Sequence, residues 1–137
     1  MPTPSPAETW PAQWLRGVLD LAVLAVIARA PTYGYRIGTD LQAMGLGTVK
    51  GGTLYPLLAR LEESGAVQTT WRPGQSGPGR KWYALTATGR ERLAGEGERW
   101  RAFAALTCEL IPAPNAEPDG TALPGHLLDR TAAGGQP

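Results

Sequence analysis

Apolar residues recur at helical spacing in four stretches of the chain, and two short stretches between the third and the fourth have the composition of β-strands. The pattern predicts helices over about 11–29, 33–44, 51–65 and 87–109. Strands are predicted over 66–72 and 80–85, joined by a loop rich in Pro and Gly. This order predicts a mainly α fold with a small β-hairpin, namely a winged helix-turn-helix domain followed by a C-terminal helix.

The third predicted helix has one apolar stripe and an outer face of unusual composition. The stripe consists of leucines at i, i+3, i+4 and i+7, namely Leu54, Leu57, Leu58 and Leu61. Thr53 is placed to cap this helix, Pro56 to lie in its first turn and Gly65 to end it, as Thr32 is placed to cap the second helix. A helix of this kind before a basic hairpin is the arrangement that lays a helix in the major groove of DNA.

A repeat along the fourth predicted helix indicates a dimer. Apolar residues there recur in alternating steps of four and three, at Leu93, Gly97, Trp100, Ala104, Thr107 and Ile111. The small domain cannot cover so long an apolar face, so a two-fold homodimer is expected. The alternative is that this helix packs on the first helix of its own chain.

These patterns divide the chain into four parts. They are a flexible N-terminal arm over 1–12, a winged helix-turn-helix domain over 13–85, a dimerisation helix over 86–111 and a tail over 112–137. The arm is rich in Pro, Thr and Ser, and the tail is rich in Pro, Gly and Ala, so both are expected to lack a packed core.

Positive charge is concentrated in the middle of the chain. The net charge is only +1, but nine basic and four acidic residues lie between Arg29 and Arg92, a local excess of +5. Such clustering favours a nucleic-acid partner, with solubility as the alternative. The single cysteine, Cys108, excludes an internal disulfide and favours a cytoplasmic location. No apolar run is long enough to predict a membrane span.

The residue inventory argues against an enzyme. The one histidine, His126, falls in the predicted tail. No metal-ligand spacing, phosphate-binding loop or nucleophile–base set is present, so neither a metal nor another cofactor is expected.

Four runs of sequence stand in a characteristic order. They are the apolar run 19–28, Thr-Tyr-Gly-Tyr-Arg-Ile at 32–37, Gly-Thr-Leu-Tyr-Pro-Leu-Leu-Ala-Arg-Leu-Glu at 52–62 and Gly-Arg-Lys-Trp-Tyr-Ala-Leu-Thr-Ala-Thr-Gly at 79–89. Together they resemble the PadR family of bacterial transcription regulators over about 15–110. The resemblance is to its shorter branch, which has one C-terminal helix. It implies a homodimer, mostly a repressor, whose two recognition helices enter successive major grooves of a near-palindromic operator.

In this resemblance the third predicted helix is the recognition helix, and the loop over 73–79 with its two flanking strands is the wing. Candidate DNA-contacting residues lie on the second helix, at the recognition helix and around the wing. They are Tyr35, Arg36, Lys50, Gly52, Thr53, Tyr55, Arg60, Arg72, Gln75, Arg80 and Lys81. Tyr55 is prominent because an outward tyrosine on a short helix is suited to pack on sugar or to bind phosphate. Its alternative is partial burial against the second helix.

Other candidates have structural alternatives too. Tyr35 can instead belong to the core, Arg36 can pair with the acidic residue four positions later, and Arg60 can pair with Glu63. The wing can be a solvated hairpin. Trp71, Trp82 and Tyr83 are expected to brace that hairpin by cross-strand packing.

The dimer interface is expected to involve Leu93, Gly97, Trp100, Ala104 and Ile111. Some members of the family bind flat aromatic compounds at this interface. A small aromatic effector is therefore predicted near Trp14, Trp100 and Phe103, with a dry interface as the alternative. Cys108, near the apolar face, is expected to be buried.

A competing hypothesis is a protein-interaction adaptor that keeps the winged-helix scaffold and no longer binds DNA. The position of the basic residues distinguishes the two. If Lys50, Arg72, Arg80 and Lys81 do not share a side with Tyr55, the adaptor hypothesis gains.

Overall fold

The computed structural model describes residues 10–74 and 77–114, and in this part of the chain four helices accompany one three-stranded sheet. The elements are α1 (Ala12–Arg29), β1 (Thr32–Tyr33), α2 (Gly34–Ala43), α3 (Gly51–Glu63), β2 (Val67–Arg72), β3 (Arg80–Leu85) and α4 (Ala87–Leu110). The predicted arm up to residue 9, Gln75 and the predicted tail from residue 115 lie outside the described residues. The described residues up to Ala102 form one compact unit, and those from Phe103 belong to a second.

The core of the first unit lies between α1, α2 and α3 because each helix turns an apolar stripe inward. All four leucines of the α3 stripe are buried, which confirms the stripe. Val23, Leu24, Ile37 and Leu41 complete the centre and are fully buried. None of the described helices is long and apolar enough to cross a membrane.

Glycines end α2 and α3 in the same way. Gly45 and Gly65 have φ of +102° and +80°, a left-handed conformation that glycine adopts without steric penalty. After α3, the N–H of Gly65 donates to Glu62 and that of Ala66 donates to Leu61, at 3.0 and 2.9 Å. This is the Schellman arrangement, and it confirms that Gly65 ends the helix.

The helix α3 includes Gly51 and Gly52, as predicted, but the predicted cap at Thr53 is wrong. The helix begins at Gly51, because the N–H groups of Thr53 and Leu54 both donate to the carbonyl of Lys50 at 2.9 Å. Thr53 is therefore inside the first turn and its side chain makes no capping bond. Pro56 lies in the second turn, where its missing N–H leaves the carbonyl of Gly52 without a helical donor.

The sheet has one strand more than the predicted hairpin. Its order is β1-β3-β2, with β1 and β2 both antiparallel to β3. Thr32 and Tyr33 pair with Tyr83 and Trp82, so Thr32 lies in a strand and does not cap α2. A two-residue strand is too short to show a β-pattern in sequence, which is why the pattern does not predict it.

The start of α4 is tied to the turn after α3. The Oγ1 of Thr86 accepts a bond from the N–H of Gly89 at 3.0 Å, which confirms the predicted cap. The same hydroxyl lies 2.5 Å from the carbonyl oxygen of Gly65 and 3.0 Å from that of Ala66. One threonine side chain thus joins the end of α3 to the beginning of α4.

Candidate nucleic-acid interface

Tyr55 lies where α3 meets the start of α2. Its side chain is 53% exposed, yet its ring rests on the backbone at Gly34. A Cβ atom at Gly34 would lie 2.6 Å from both Cε1 and the hydroxyl oxygen of Tyr55. The ring is thus held in place on one side and open to solvent on the other. Exposure of Tyr55 and its packing against the second helix were predicted as alternatives, but the structure shows both.

The first turn of α2 is also open to solvent. Tyr35 is 77% exposed, so its placement in the core, the alternative to DNA contact, is wrong. Arg36 is exposed and makes no ion pair with Asp40 or with any other residue of the described ranges. A cavity of about 240 Å³ between α2 and α3 is lined by Tyr35, Thr39 and Tyr55 among others.

The residues at the start of α3 are accessible. Lys50 stands immediately before the helix, and Gly52 and Thr53 in its first turn are exposed as well. At this end the first N–H groups of a helix point outward, which favours a negatively charged group.

Arg60 lies elsewhere, about 140° around α3 from Tyr55. Its partner is Asp20 of α1 at 3.7 Å, so the predicted alternative of pairing with Glu63 is wrong. Asp20 also lies 3.5 Å from Arg92 of α4. Such an exposed pair contributes about 0–1 kcal/mol, so Arg60 keeps enough freedom to reach another anion.

Lys81 is engaged inside the chain. Its Nζ donates to Glu62, at the end of α3, at 3.0 Å, and the same carboxylate accepts a bond from Thr69 at 2.8 Å. The hydrogen bond with Glu62 raises the pKa of Lys81, and the same bond lowers the pKa of Glu62. This network joins the recognition helix to both wing strands and neutralises one basic residue predicted to contact DNA.

The two arginines that flank the wing are stacked on aromatic rings. The Cζ of Arg72 lies 4.1 Å from the centre of the Trp82 ring, and that of Arg80 lies 4.5 Å from the centre of the Tyr33 ring. The two rings meet edge to face with their centres 5.0 Å apart. Trp82 braces the sheet as predicted, but the expected cross-strand bracing by Trp71 is wrong, because that ring is mostly exposed.

Two cavities that share Arg80 are lined by six of the residues predicted to contact DNA. A cavity of about 450 Å³ is lined by Tyr35, Tyr55, Arg80 and Lys81 together. A second cavity, which shares Arg80, is also lined by Arg36 and Arg72. Of the four basic residues that distinguish the two hypotheses, Arg80 and Lys81 line the same cavity as Tyr55, and this favours a DNA-binding surface over an adaptor.

The residues predicted for dimer contact differ in their burial. Leu93 packs against the core of its own unit, and Gly97, Trp100 and Ala104 are half-buried. Larger apolar side chains near the end of α4 are exposed in the single chain, namely Phe103, Leu106, Leu110 and Ile111. Cys108 is exposed too, so its predicted burial is wrong.

The proposed effector residues remain a prediction. Trp14 is exposed and lies beside Trp10, with 6.4 Å between the ring centres. Sequence patterns did not show that the Nε1 of Trp10 donates to the carbonyl of Gly45 at 2.7 Å, because 35 residues separate the two.

Comparison with known proteins agrees with this geometry. The model of the PadR-like family of transcriptional regulators matches residues 23–95. A PadR-like regulator from Bacillus cereus is 32% identical with a TM-score of 0.67, and the match covers 74% of this chain and 98% of that one. A PadR family regulator from Eggerthella lenta is 32% identical with a TM-score of 0.66, covering 72% and 86%. An uncharacterized protein from Lysinibacillus sphaericus is 28% identical over 88 residues, which are 63% of this chain and 81% of that protein. The chain therefore belongs to the PadR-like family of transcriptional regulators, which bind DNA.

Proposed function

We propose that this regulator is a repressor that acts as a homodimer on a near-palindromic operator. The observation that carries the proposal is the common surface on which Tyr55 of the recognition helix, Tyr35 of α2 and Arg80 of the wing line one cavity. In such an arrangement α3 can enter a major groove, while the start of α2 and the basic wing contact the phosphates on either side.

Selection of duplexes from a random pool tests this proposal. We expect enrichment of an inverted repeat whose half-sites lie about one helical turn apart, roughly 34 Å. Binding to the selected duplex should weaken steeply as salt rises, since phosphate contacts release counterions. The selected operator is then cloned upstream of a reporter gene, and the expected result is lower expression in the presence of the protein. Absence of any preference over random DNA, together with capture of a protein partner, would favour the adaptor hypothesis.

Replacing Tyr55 by alanine should weaken binding to the selected operator by about tenfold or more, the scale of one lost specific contact. Binding to random duplex should change much less, because the wing and the start of α2 remain. Fluorescence anisotropy on both duplexes measures the difference. Tyr55→Phe separates the ring from the hydroxyl: retained affinity assigns the contact to the ring, and equal loss in both variants assigns it to the hydroxyl. Unchanged affinity in Tyr55→Ala would remove this residue from the interface.

Gly34 offers an independent test of the same contact. The atoms nearest to a methyl group there all belong to the far end of the Tyr55 ring, which is half exposed and can turn away, so Gly34→Ala should fold normally and misplace the ring. We expect a several-fold loss of specific binding, smaller than that in Tyr55→Ala. In the double variant Gly34→Ala with Tyr55→Ala, the first change should add nothing, since its target is gone. Additive losses would show that Gly34 acts in some other way.

The homodimer of the proposal is built by α4. Its exposed leucines, Leu106 and Leu110, are separated by one helical turn and lie on one side of the helix. This stripe leaves more apolar surface open than the half-buried seam of Gly97 and Ala104. We therefore place the centre of the partner contact on the leucine stripe, with Ile111 at its end.

A further inference from the structure

A pocket at the base of the wing carries three arginines. This wing-base pocket is formed by Tyr33, Arg36, Arg72, Arg80 and Trp82, and its volume is about 710 Å³. No carboxylate lines it. Within the described ranges, none of the three guanidinium groups has an ion-pair partner. So much uncompensated positive charge around one cavity indicates a site for an anion.

The aromatic rings hold two of these guanidinium groups in place. A guanidinium that stacks on an aromatic ring uses its flat face for the contact. The N–H groups along its edge therefore stay available for hydrogen bonds. The register of β1 and β3 sets the rings themselves, since Tyr33 is paired with Trp82. Arg72 and Arg80 are also Cα partners at the last pair of β2 and β3, which brings their side chains to the same end of the hairpin.

The geometry suits a phosphate group. Guanidinium edges match the oxygen pairs of phosphate, and a preformed arrangement loses little side-chain entropy on binding. Tyr33 also directly precedes α2, whose start has no side-chain cap. N–H groups at that helix end add to the positive potential.

We propose that the wing-base pocket is a preformed binding site for a phosphate of the DNA backbone, in which Trp82 and Tyr33 act as positioning residues for Arg72 and Arg80. This inference rests on the proposed function, because Arg80 also lines the cavity that contains Tyr55. In this arrangement two aromatic residues of the sheet control DNA affinity through the arginines without changing sequence preference.

Trp82→Leu removes the ring and keeps every charge. Affinity for the selected operator and for random duplex should fall by the same factor, about fivefold to tenfold, and the salt slope should decrease by about one. Trp82→Phe supplies another ring face and should restore most of the affinity. Arg90→Ala, at an exposed arginine of α4, is the control for charge loss and should leave both duplexes bound as before. Circular dichroism of each variant verifies the fold.

A double variant separates positioning from simple structural support. If Trp82 acts through Arg72, then Arg72→Ala should cause little further loss in a Trp82→Leu background. Fully multiplicative losses, or an unchanged salt slope in Trp82→Leu, would overturn the inference. A wild-type protein that binds all duplexes equally while Trp82→Leu still binds them more weakly would refute the repressor proposal and leave the pocket assignment intact.

A free phosphate compound could bind the wing-base pocket through the same contacts as a DNA phosphate. Inorganic pyrophosphate is titrated into the DNA-free protein and followed by tryptophan fluorescence. Binding only at millimolar concentration, lost in Arg72→Ala, agrees with a site for DNA phosphate. Micromolar binding lost in Arg72→Ala, with DNA affinity unchanged in the same variant, would assign the pocket to a free ligand and overturn the DNA assignment.

Discussion

A glutamate in place of Leu106 is expected to separate the proposed homodimer and to lower affinity for the selected operator by about a hundredfold or more, the range typical of lost bivalency. Leu106 is 52% exposed in the single chain, and Leu110, one turn further on, is 60% exposed. Burying a carboxylate in such an apolar contact is strongly unfavourable. A monomer retains one recognition helix and one wing, so it keeps only the contacts of a single half-site.

Light scattering measures the mass of the variant, and anisotropy compares the full operator with an isolated half-site. The half-site affinity should be nearly the same in the wild type and in Leu106→Glu. Ala105→Glu is the matched control, because Ala105 is exposed and about 100° around α4 from Leu106. A dimeric Leu106→Glu protein with wild-type operator binding would place the interface on another face.

The second large effect is expected in folding. A Cβ atom at Gly89 would collide with the carbonyl oxygen of Ala66 and lie 2.9 Å from Cδ1 of Leu85. The collision is with backbone, so the start of α4 has to move away from the turn after α3. Gly89→Ala should lower the free energy of unfolding by about 1–3 kcal/mol, the usual range for overpacking. In a unit of this size each kcal/mol corresponds to roughly 4–8 °C in Tm.

Gly95→Ala provides the comparison within the same helix. Nothing lies within 4 Å of a Cβ atom at Gly95, so the substitution should act only through the higher helix propensity of alanine. It should stabilise the protein by up to about 1 kcal/mol. Opposite signs at Gly89 and Gly95 in thermal and urea unfolding are the expected outcome. Stabilisation by both substitutions would show that α4 docks more loosely on Ala66 than the structure indicates.

Periodicity predicted the helices well because burial imposes it. The leucine stripe of α3 and the glycine after it are features of local sequence, and both occur as expected. The cap of α3 was harder to predict, since Thr53 is a favourable capping residue but the helix already begins at Gly51 and contains Thr53 in its first turn. The strand β1 could not be foreseen, because its two residues form a strand only through pairing with β3.

Candidate site residues could be chosen from the sequence by type, but their partners within the chain could not. The chemistry of Arg72, Arg80 and Lys81 was visible in the sequence, but their partners were not. Lys81 meets Glu62 across 19 residues, and Arg80 meets Tyr33 across an even longer separation. Such contacts depend on the sheet register, which one sequence does not reveal. In the structure, Lys81 is neutralised by Glu62, whereas Arg72 and Arg80 are held by aromatic rings.

The short path between α1 and α2 restricts how the chain can change in length. Only residues 30 and 31 separate α1 from β1, and α2 begins directly after Tyr33. One inserted residue there would either break the pairing of Thr32 with Tyr83 or rotate α2 relative to the recognition helix. The strands β2 and β3 are paired continuously from Val67 and Leu85 to Arg72 and Arg80, so residues added to the surface loop that joins them need not change this register. Natural insertions, like engineered tags or fluorophores, are therefore expected in the connection between β2 and β3 rather than between α1 and α2, because added length there leaves the core as it is.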